Sequence, residues 1–378
     1  MRISSVIAYR IHIPFKAVFA HTLHSRRATE AVILIVKSEA GCIGVGEILP
    51  RPYLTGETIE SVLQRELPAL VLRWLERKFA DREAVVQALR DDLPQCGRAL
   101  STFAGWELAM LDLAGKVFSF AAGEVLGLET GPELEPGVVI DFAVPTHRLE
   151  KHCMLLRLAG RRHVKVKVGL HDDLHRLALI HGVFGIGQSL RLDANAAWTT
   201  DYAIGLLRQM RRFNIDSIEQ PVPARDLEGM RKVREATGIP VVADESLCSF
   251  EDGQSLLSAH AADIFNIRIG KCGGFLASFR LVQLANEAGL RCQLGALVGE
   301  TGILSRAAEI FGRRVPGFDF LEGKRQNKTL LLQDIVEMPS PDEDAAGKGL
   351  GVIIGSKDLD QFAASAPTVF KNPQRRTA

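Results

Sequence analysis

Eight short apolar runs, spaced by roughly 22–28 residues, constrain this chain more than any other feature. They are "VVIDFAV" (138–144), "HVKVKVG" (163–169), "SLRLDANA" (189–196), "DSIEQP" (216–221), "PVVADES" (240–246), "DIFNIRIG" (263–270), "RCQLGA" (291–296) and "FDFLEG" (318–323). Most carry β-branched residues and all are too short for a helix. Amphipathic patterns such as "DYAIGLLRQMRRF" and "GGFLASFRLVQLANEAG" lie between most of them. Strands and helices alternating in this way build a parallel sheet, and eight such units close a barrel. Seven of the helices are convincing and the last is replaced. The expected class is therefore α/β, a modified (β/α)7β TIM-like barrel.

The first third reads differently. "VIAYRIHIPF" and "EAVILIVKSEAGCIGVGEILP" predict strands, the second a pair turned at Glu39–Gly41. Helical patterns follow in "TIESVLQRELPALVLRWL", "REAVVQALRDDL" and "LSTFAGWELAMLDLAGK", the last stopping at its Gly–Lys pair. We expect an α+β capping domain over residues 1–130, the barrel over 131–325, and a segment 326–378 that packs back on the first domain.

A composition 47% hydrophobic over 378 residues supports a large core, and a net charge of +1 gives no reason to expect a nucleic-acid or membrane partner. No apolar run reaches the ~18 residues of a membrane helix, and the opening residues lack a signal-peptide pattern. The six cysteines are scattered without a C-x-x-C pair, which suits free thiols in the cytoplasm.

Barrel chemistry sits at the C-terminal ends of the strands. Three consecutive strands end there in acids: Asp193, Glu219 and Asp244, 26 and 25 residues apart. Singly, each could cap a helix. In register they converge, and three unpaired carboxylates repel. A hard divalent cation with oxygen ligands resolves this, with Mg²⁺ the expected occupant and Mn²⁺ the alternative. Lys165 and Lys167 share one face of the neighbouring strand. A dication and a like-charged neighbour both disfavour the ammonium form, so a lysine there can act as a base.

The motifs "KVKVG", "RLDANAAW", "IEQPV", "VVADES", "NIRIGKCGG", "GVGEILPRPYLTGET" and "WELAMLDLAGK" together resemble the enolase superfamily, in its muconate lactonizing enzyme subgroup. The resemblance spans nearly the whole chain. It implies Mg²⁺ on Asp193, Glu219 and Asp244. It also implies proton abstraction by Lys167 α to a substrate carboxylate, with Lys165 holding that carboxylate or tuning its partner. Two capping-domain loops, near 19–27 and 50–57, would close over the substrate; His21, His24, Arg26, Arg27, Arg51 and Tyr53 are their candidate contacts. Relatives commonly assemble as dimers to octamers, so a homo-oligomer is expected.

The chain departs from the subgroup on the sixth strand, where Arg268 stands in place of a second lysine. Arginine's pKa of ~12.5–13.8 rules it out as a proton shuttle. It reads instead as a fixed cation for carboxylate or enolate oxygens, or as a salt-bridge partner of Asp244 or Glu245. Lys271, beyond the strand end beside Gly270, Gly273 and Gly274, reads by spacing as a surface loop residue; the alternative is that the flexible backbone brings it in, and whether Arg268 or Lys271 acts opposite Lys167 stays open. One base favours a one-face reaction: cycloisomerisation, syn elimination or dehydration. Racemisation or epimerisation of amino-acid or dipeptide derivatives, and o-succinylbenzoate synthesis, are the alternatives. A Schiff-base aldolase and a barrel that only binds a ligand are readings from other classes. Asn195, two residues after Asp193, is a candidate polar contact near the metal. Glu300 and Asp319 are candidate contacts for a substrate amino group, with Asp319 better placed than Glu322. Glu245 should face away from the metal.

Overall fold

Residues 3–48 form three antiparallel strands, β1 (Ile3–Ala20), β2 (Ser25–Ser38) and β3 (Ile43–Ile48), with the predicted turn made where Gly41 adopts φ 85°. The structure, a computed structural model, describes residues 1–20, 25–185, 187–188, 190–337 and 348–371. Ala31–Val36 of β2 are buried without alternation, so both faces of the sheet are covered there, one of them by the helix Leu100–Phe118. That helix is buried from Leu100 to Gly115. It approaches β3 so closely that a Cβ at Gly46 would lie 2.0 Å from the Gly105 carbonyl oxygen, so only glycine fits. It runs two residues past its expected Gly–Lys stop and ends at Ser119, left-handed at φ 64°. The expected helix over 58–75 is interrupted: a wide-turn segment, Val62–Glu66, precedes Pro68, which has no N–H to donate.

The eight apolar runs become β4 (Glu135–Ile140), β5 (Val164–Lys167), β6 (Leu190–Asp193), β7 (Ile215–Glu219), β8 (Val241–Ala243), β9 (Ile264–Ile267), β10 (Arg291–Leu294) and β11 (Phe320–Glu322). They close a parallel barrel in chain order, β11 meeting β4, with a helix in each of the seven intervals. β4 starts three residues earlier than its sequence reading and stops at Ile140, because the Asp141 carboxylate accepts from the Ala143 N–H and turns the chain toward the next helix.

After the barrel the chain returns to the first sheet. β12 (Val336–Glu337) pairs with β13 (Ile353–Ile354), and β14 (Thr368–Lys371) adds antiparallel to β1, Ser5 opposite Lys371. Two buried acids fix the first domain over the barrel. Glu47 of β3 accepts from the Thr301 and Leu304 N–H groups and the Thr301 hydroxyl, at the start of the helix Gly302–Arg314. Glu107 accepts from Phe275 and Leu276 N–H at the start of the helix Gly274–Glu287. Each satisfies orphan donors at a helix N-terminus and sits at the positive end of its dipole. Among the described residues no helix is long and apolar enough to cross a membrane.

Candidate functional site

Strand register brings the charged groups together. Lys167 pairs with Asp193 and Asp193 with Glu219 across β5, β6 and β7, so all three stand at one level of the barrel mouth. Asp244 lies two residues past Val242, the partner of Glu219. One layer deeper, Lys165 is level with Arg191. Parallel barrel strands point alternate residues inward, so these side chains replace the apolar filling of an ordinary barrel.

The contacts form one continuous network. Lys167 Nζ lies 2.6 Å from Asp193 Oδ2 and 2.5 Å from Asn195 Oδ1. Lys165 Nζ lies 3.0 Å from Asp193 Oδ2, 3.2 Å from both Glu219 oxygens and 2.5 Å from Glu322 Oε2. Arg191 holds the other Glu322 oxygen at 3.1 Å. Arg268 Nη2 lies 2.5 Å from Asp244 Oδ2 and 3.2 Å from Glu219 Oε1, the salt-bridge outcome among its two expected roles. Asn266 and Gln293 donate to Glu219 at 3.0 and 2.7 Å.

Several expected positions need correction. Lys271 is not a surface residue: it is fully buried, its Nζ 2.7 Å from Asp244 Oδ1 and 2.5 Å from the Asp244 carbonyl. The turn after β9 brings it back, with Lys271 N–H donating to the Arg268 carbonyl, so strand spacing does not apply there. Glu245 does not face away. β8 ends at Ala243, alternation stops, and Glu245 lines the same cavity and accepts from Asn195 Nδ2 at 3.1 Å. Asp319 precedes β11 and is exposed at the N-terminal end of the barrel, near His163, away from the mouth. Glu322, at the other end of β11, is the acid that joins the cluster. Glu300 is buried but folds onto the Leu297 N–H at 2.6 Å and does not line the cavity. Among the capping-domain residues, Tyr53 and Phe19 line the cavity, and the Arg26 guanidinium lies 6.0 Å from the Tyr53 ring centroid. Arg51 is buried, donating to the Pro50 and Val298 carbonyls. Arg27 is exposed, and His21 and His24 lie outside the described residues.

Arg191 and Gln293 were not singled out as functional from the sequence, and Glu322 was ranked behind Asp319. The available signal was a polar or charged residue at an inward position of a parallel strand, where Val, Ile and Leu are the rule. Arg191 precedes Asp193 by two and shares its face.

Electrostatics divide the cluster. Burial opposes the Asp193 carboxylate, but Lys165 and Lys167 overcome it and hold the group well below its usual range. Burial likewise opposes Glu322, and Lys165 and Arg191 bring it down. Burial disfavours the Lys165 ammonium, yet Asp193, Glu219 and Glu322 outweigh this and keep it charged. Glu219 is pushed up by burial, with Asp193, Asp244 and Glu322 adding to the effect. Glu245 is raised to about 8 by burial and by Asp244 and Asp193.

The donor chemistry of Asp193, Glu219 and Asp244 suits a hard divalent ion: six carboxylate oxygens on three neighbouring strand ends, with no sulfur or nitrogen. In this conformation all six already accept from the protein. Asp193 Oδ1 takes the Asn195 N–H at 3.0 Å, and the other five take Lys165, Lys167, Arg268, Lys271, Asn266 or Gln293. Among the described residues no group of three or more His, Cys, Asp or Glu is arranged to hold a metal. The residues fit the ion by chemistry, provided the internal cations give way.

Residues 148–357 match the family model described as "Enolase C-terminal domain-like". The N-succinyl-L-Arg/Lys racemase of Bacillus cereus is 28% identical over 310 residues, 81% of this chain and 83% of that protein. Its crystal structure superposes with a TM-score of 0.85 over 98% of this chain and 100% of that one, at 24% identity. The hydrophobic dipeptide epimerase of Enterococcus faecalis is 27% identical over 310 residues, 82% and 86% of the two chains. Its complex with Mg and the dipeptide L-Leu-L-Tyr superposes with a TM-score of 0.77, at 25% identity over 93% of this chain and 99% of that one. Muconate cycloisomerase 1 of Pseudomonas putida is 29% identical over 359 residues, 90% and 92% of the two chains. Barrel closure, capping sheet, the acids on successive strands and these matches agree: the chain belongs to the enolase superfamily, in the clade of mandelate racemase and muconate lactonizing enzyme.

Proposed function

We propose that this protein removes the α-proton of a small carboxylate substrate to form an enediolate, with Mg²⁺ or Mn²⁺ held by Asp193, Glu219 and Asp244. The observation that carries this reading is Lys167, set beside those acids at one barrel level and lining the cavity. When bound, the ion supplies electrostatic stabilisation for the negative charge that develops on the substrate carboxylate. Lys167 is the base: Asp193 and Asn195 accept from it and fix its direction. Lys165 remains a cation against three acids and meets the substrate carboxylate as a charge. Tyr53 and Phe19 line the cavity from the capping domain.

The reaction class we favour is racemisation or epimerisation of an N-acyl amino acid or a dipeptide. The names of the Bacillus cereus and Enterococcus faecalis relatives support it, and the one-face reaction expected from the sequence becomes the second reading. Arg268 is what still favours a muconate cycloisomerase-like or lyase reaction, because it cannot return a proton from the opposite side. Proton exchange in D₂O with Mg²⁺ and a panel of dipeptides, N-acyl amino acids and unsaturated diacids separates them. Deuterium entering both stereoisomers at the α-carbon is the epimerase result. Exchange confined to one isomer, or an elimination or lactone product, gives the second reading. No exchange with any member of the panel would sink the proposal.

A further inference from the structure

Arg268 occupies a position that a divalent ion also needs. Its Nη2 bridges Glu219 Oε1 and Asp244 Oδ2, two of the three acids that would ligate the ion. Neither neighbour of that bridge is free to replace it: Lys271 is fully buried and doubly tied to Asp244, by carboxylate and carbonyl, while Lys165 is shared among Asp193, Glu219 and Glu322. Arg268 is held differently. It lines the cavity, its Nε is buried with no hydrogen-bond partner, and its contacts to the acids run through one nitrogen. Gly295 makes this seat: a Cβ there would lie 2.5 Å from Asn266 Oδ1, 3.1 Å from Arg268 Nε and 3.2 Å from its Cγ. A side chain laid over a glycine and anchored at its tip can pivot.

Charge and space point the same way. Around the mouth, Asp193, Glu219, Asp244 and Glu322 are engaged by Lys165, Lys167, Lys271, Arg268 and Arg191. A dication entering this set repels the cation that shares its ligands. The cavity measures about 50 Å³, against roughly 300–1,000 Å³ for ligand sites in general. A substrate needs a wall to move, and Arg268 is part of that wall.

We propose that Arg268 is an internal counter-cation that closes Glu219 on Asp244 and leaves them when a divalent ion binds, so that metal loading frees its guanidinium for the substrate carboxylate. This rests on the metal-dependent reading above. It makes Arg268 a positioning residue whose two states are set by the ion, and it assigns a purpose to an arginine where a lysine is the expected residue.

The test is metal binding itself, without substrate. Mn²⁺ affinity is measured by electron paramagnetic resonance or calorimetry for the wild type, Arg268→Met and Arg268→Gly. Competition for shared ligands predicts that Arg268→Met binds Mn²⁺ more tightly by about 5- to 150-fold, the usual range of coupling between two ligands. In Arg268→Gly, added guanidinium should weaken Mn²⁺ binding competitively, which loss of charge alone would not produce. In the wild type, the Arg268 Nε–H resonance should shift on Mg²⁺ titration, a readout that needs no variant to fold. Equal affinity in wild type and Arg268→Met, or an unmoved Nε–H signal at saturating Mg²⁺, overturns the inference and leaves the metal-dependent function standing. No binding of Mn²⁺ by any form overturns both.

Discussion

Asp193 at the barrel mouth and Glu107 beneath the capping domain are both fully buried carboxylates, yet they respond in opposite directions. Asp193 is held far below its usual range because two ammonium groups face it. Glu107 has only the Phe275 and Leu276 N–H groups, and burial raises it to about 8. Glu47, on the Thr301 and Leu304 N–H groups, rises to about 7 for the same reason. Partial charges at a helix N-terminus offset less of the desolvation cost than full charges do. One molecule thus uses the same side-chain chemistry twice. At the mouth, neighbouring cations hold Asp193, Asp244 and Glu322 in their ionised form. At the domain junction, acids serve as hydrogen-bond acceptors that fasten one domain to the other.

This contrast can be broken in several places. The largest expected effect is at the mouth: Lys167→Ala should lower kcat by about 10²–10⁴-fold, the usual worth of a general base. Calorimetry should show Mn²⁺ binding retained. Next is Glu322→Gln, which leaves Lys165 and Arg191 without a shared counter-charge. Breaking a buried pair costs about 3–5 kcal/mol, to be read from urea unfolding. At the junction, Glu107→Ala strands two buried N–H groups and should cost about 1–3 kcal/mol; Glu107→Gln, which keeps an acceptor, should cost less.

The pH dependence separates the two regions further. Glu47 and Glu107 titrate near 7 and 8 in the folded chain against 4.5 as the reference. Between those values the folded state holds more protons than the unfolded one, so their contribution falls as pH rises from 4.5 through 8. Asp193, Asp244 and Glu322 are lowered, so their contribution is present above the usual carboxylate range and is lost as pH falls through the folded values. Thermal melts of Glu107→Gln against wild type should show the variant gaining relative stability between pH 5 and 8.5; a constant difference would contradict the junction assignment. The smallest effect belongs to Asp319→Asn, expected within about 0.5 kcal/mol because the residue is exposed and outside both networks.

The sequence carried the barrel far. Periodic apolar runs, seven intervening helices and the descent of "KVK", "RLD", "IEQ" and "VAD" onto one rim follow from strand geometry alone, since residues two apart share a face and successive parallel strands bring like positions side by side. The lysine pair, the three acids and Asn195 were legible for that reason. Arg268 was legible as a departure, and its salt bridge to Asp244 as one of two outcomes, though not its contact with Glu219.

What only the tertiary structure decided lies where regular alternation ends. Lys271 enters through a turn after β9, Glu245 faces the cavity past the last residue of β8, and Glu322 rather than Asp319 reaches the mouth because β11 spans only Phe320–Glu322. The bonds from Glu47 and Glu107 to barrel helices join residues more than 160 positions apart. Local pattern fixes which face a residue takes within a strand. It cannot fix which distant backbone donors a buried acid will meet, because that depends on how two finished domains pack.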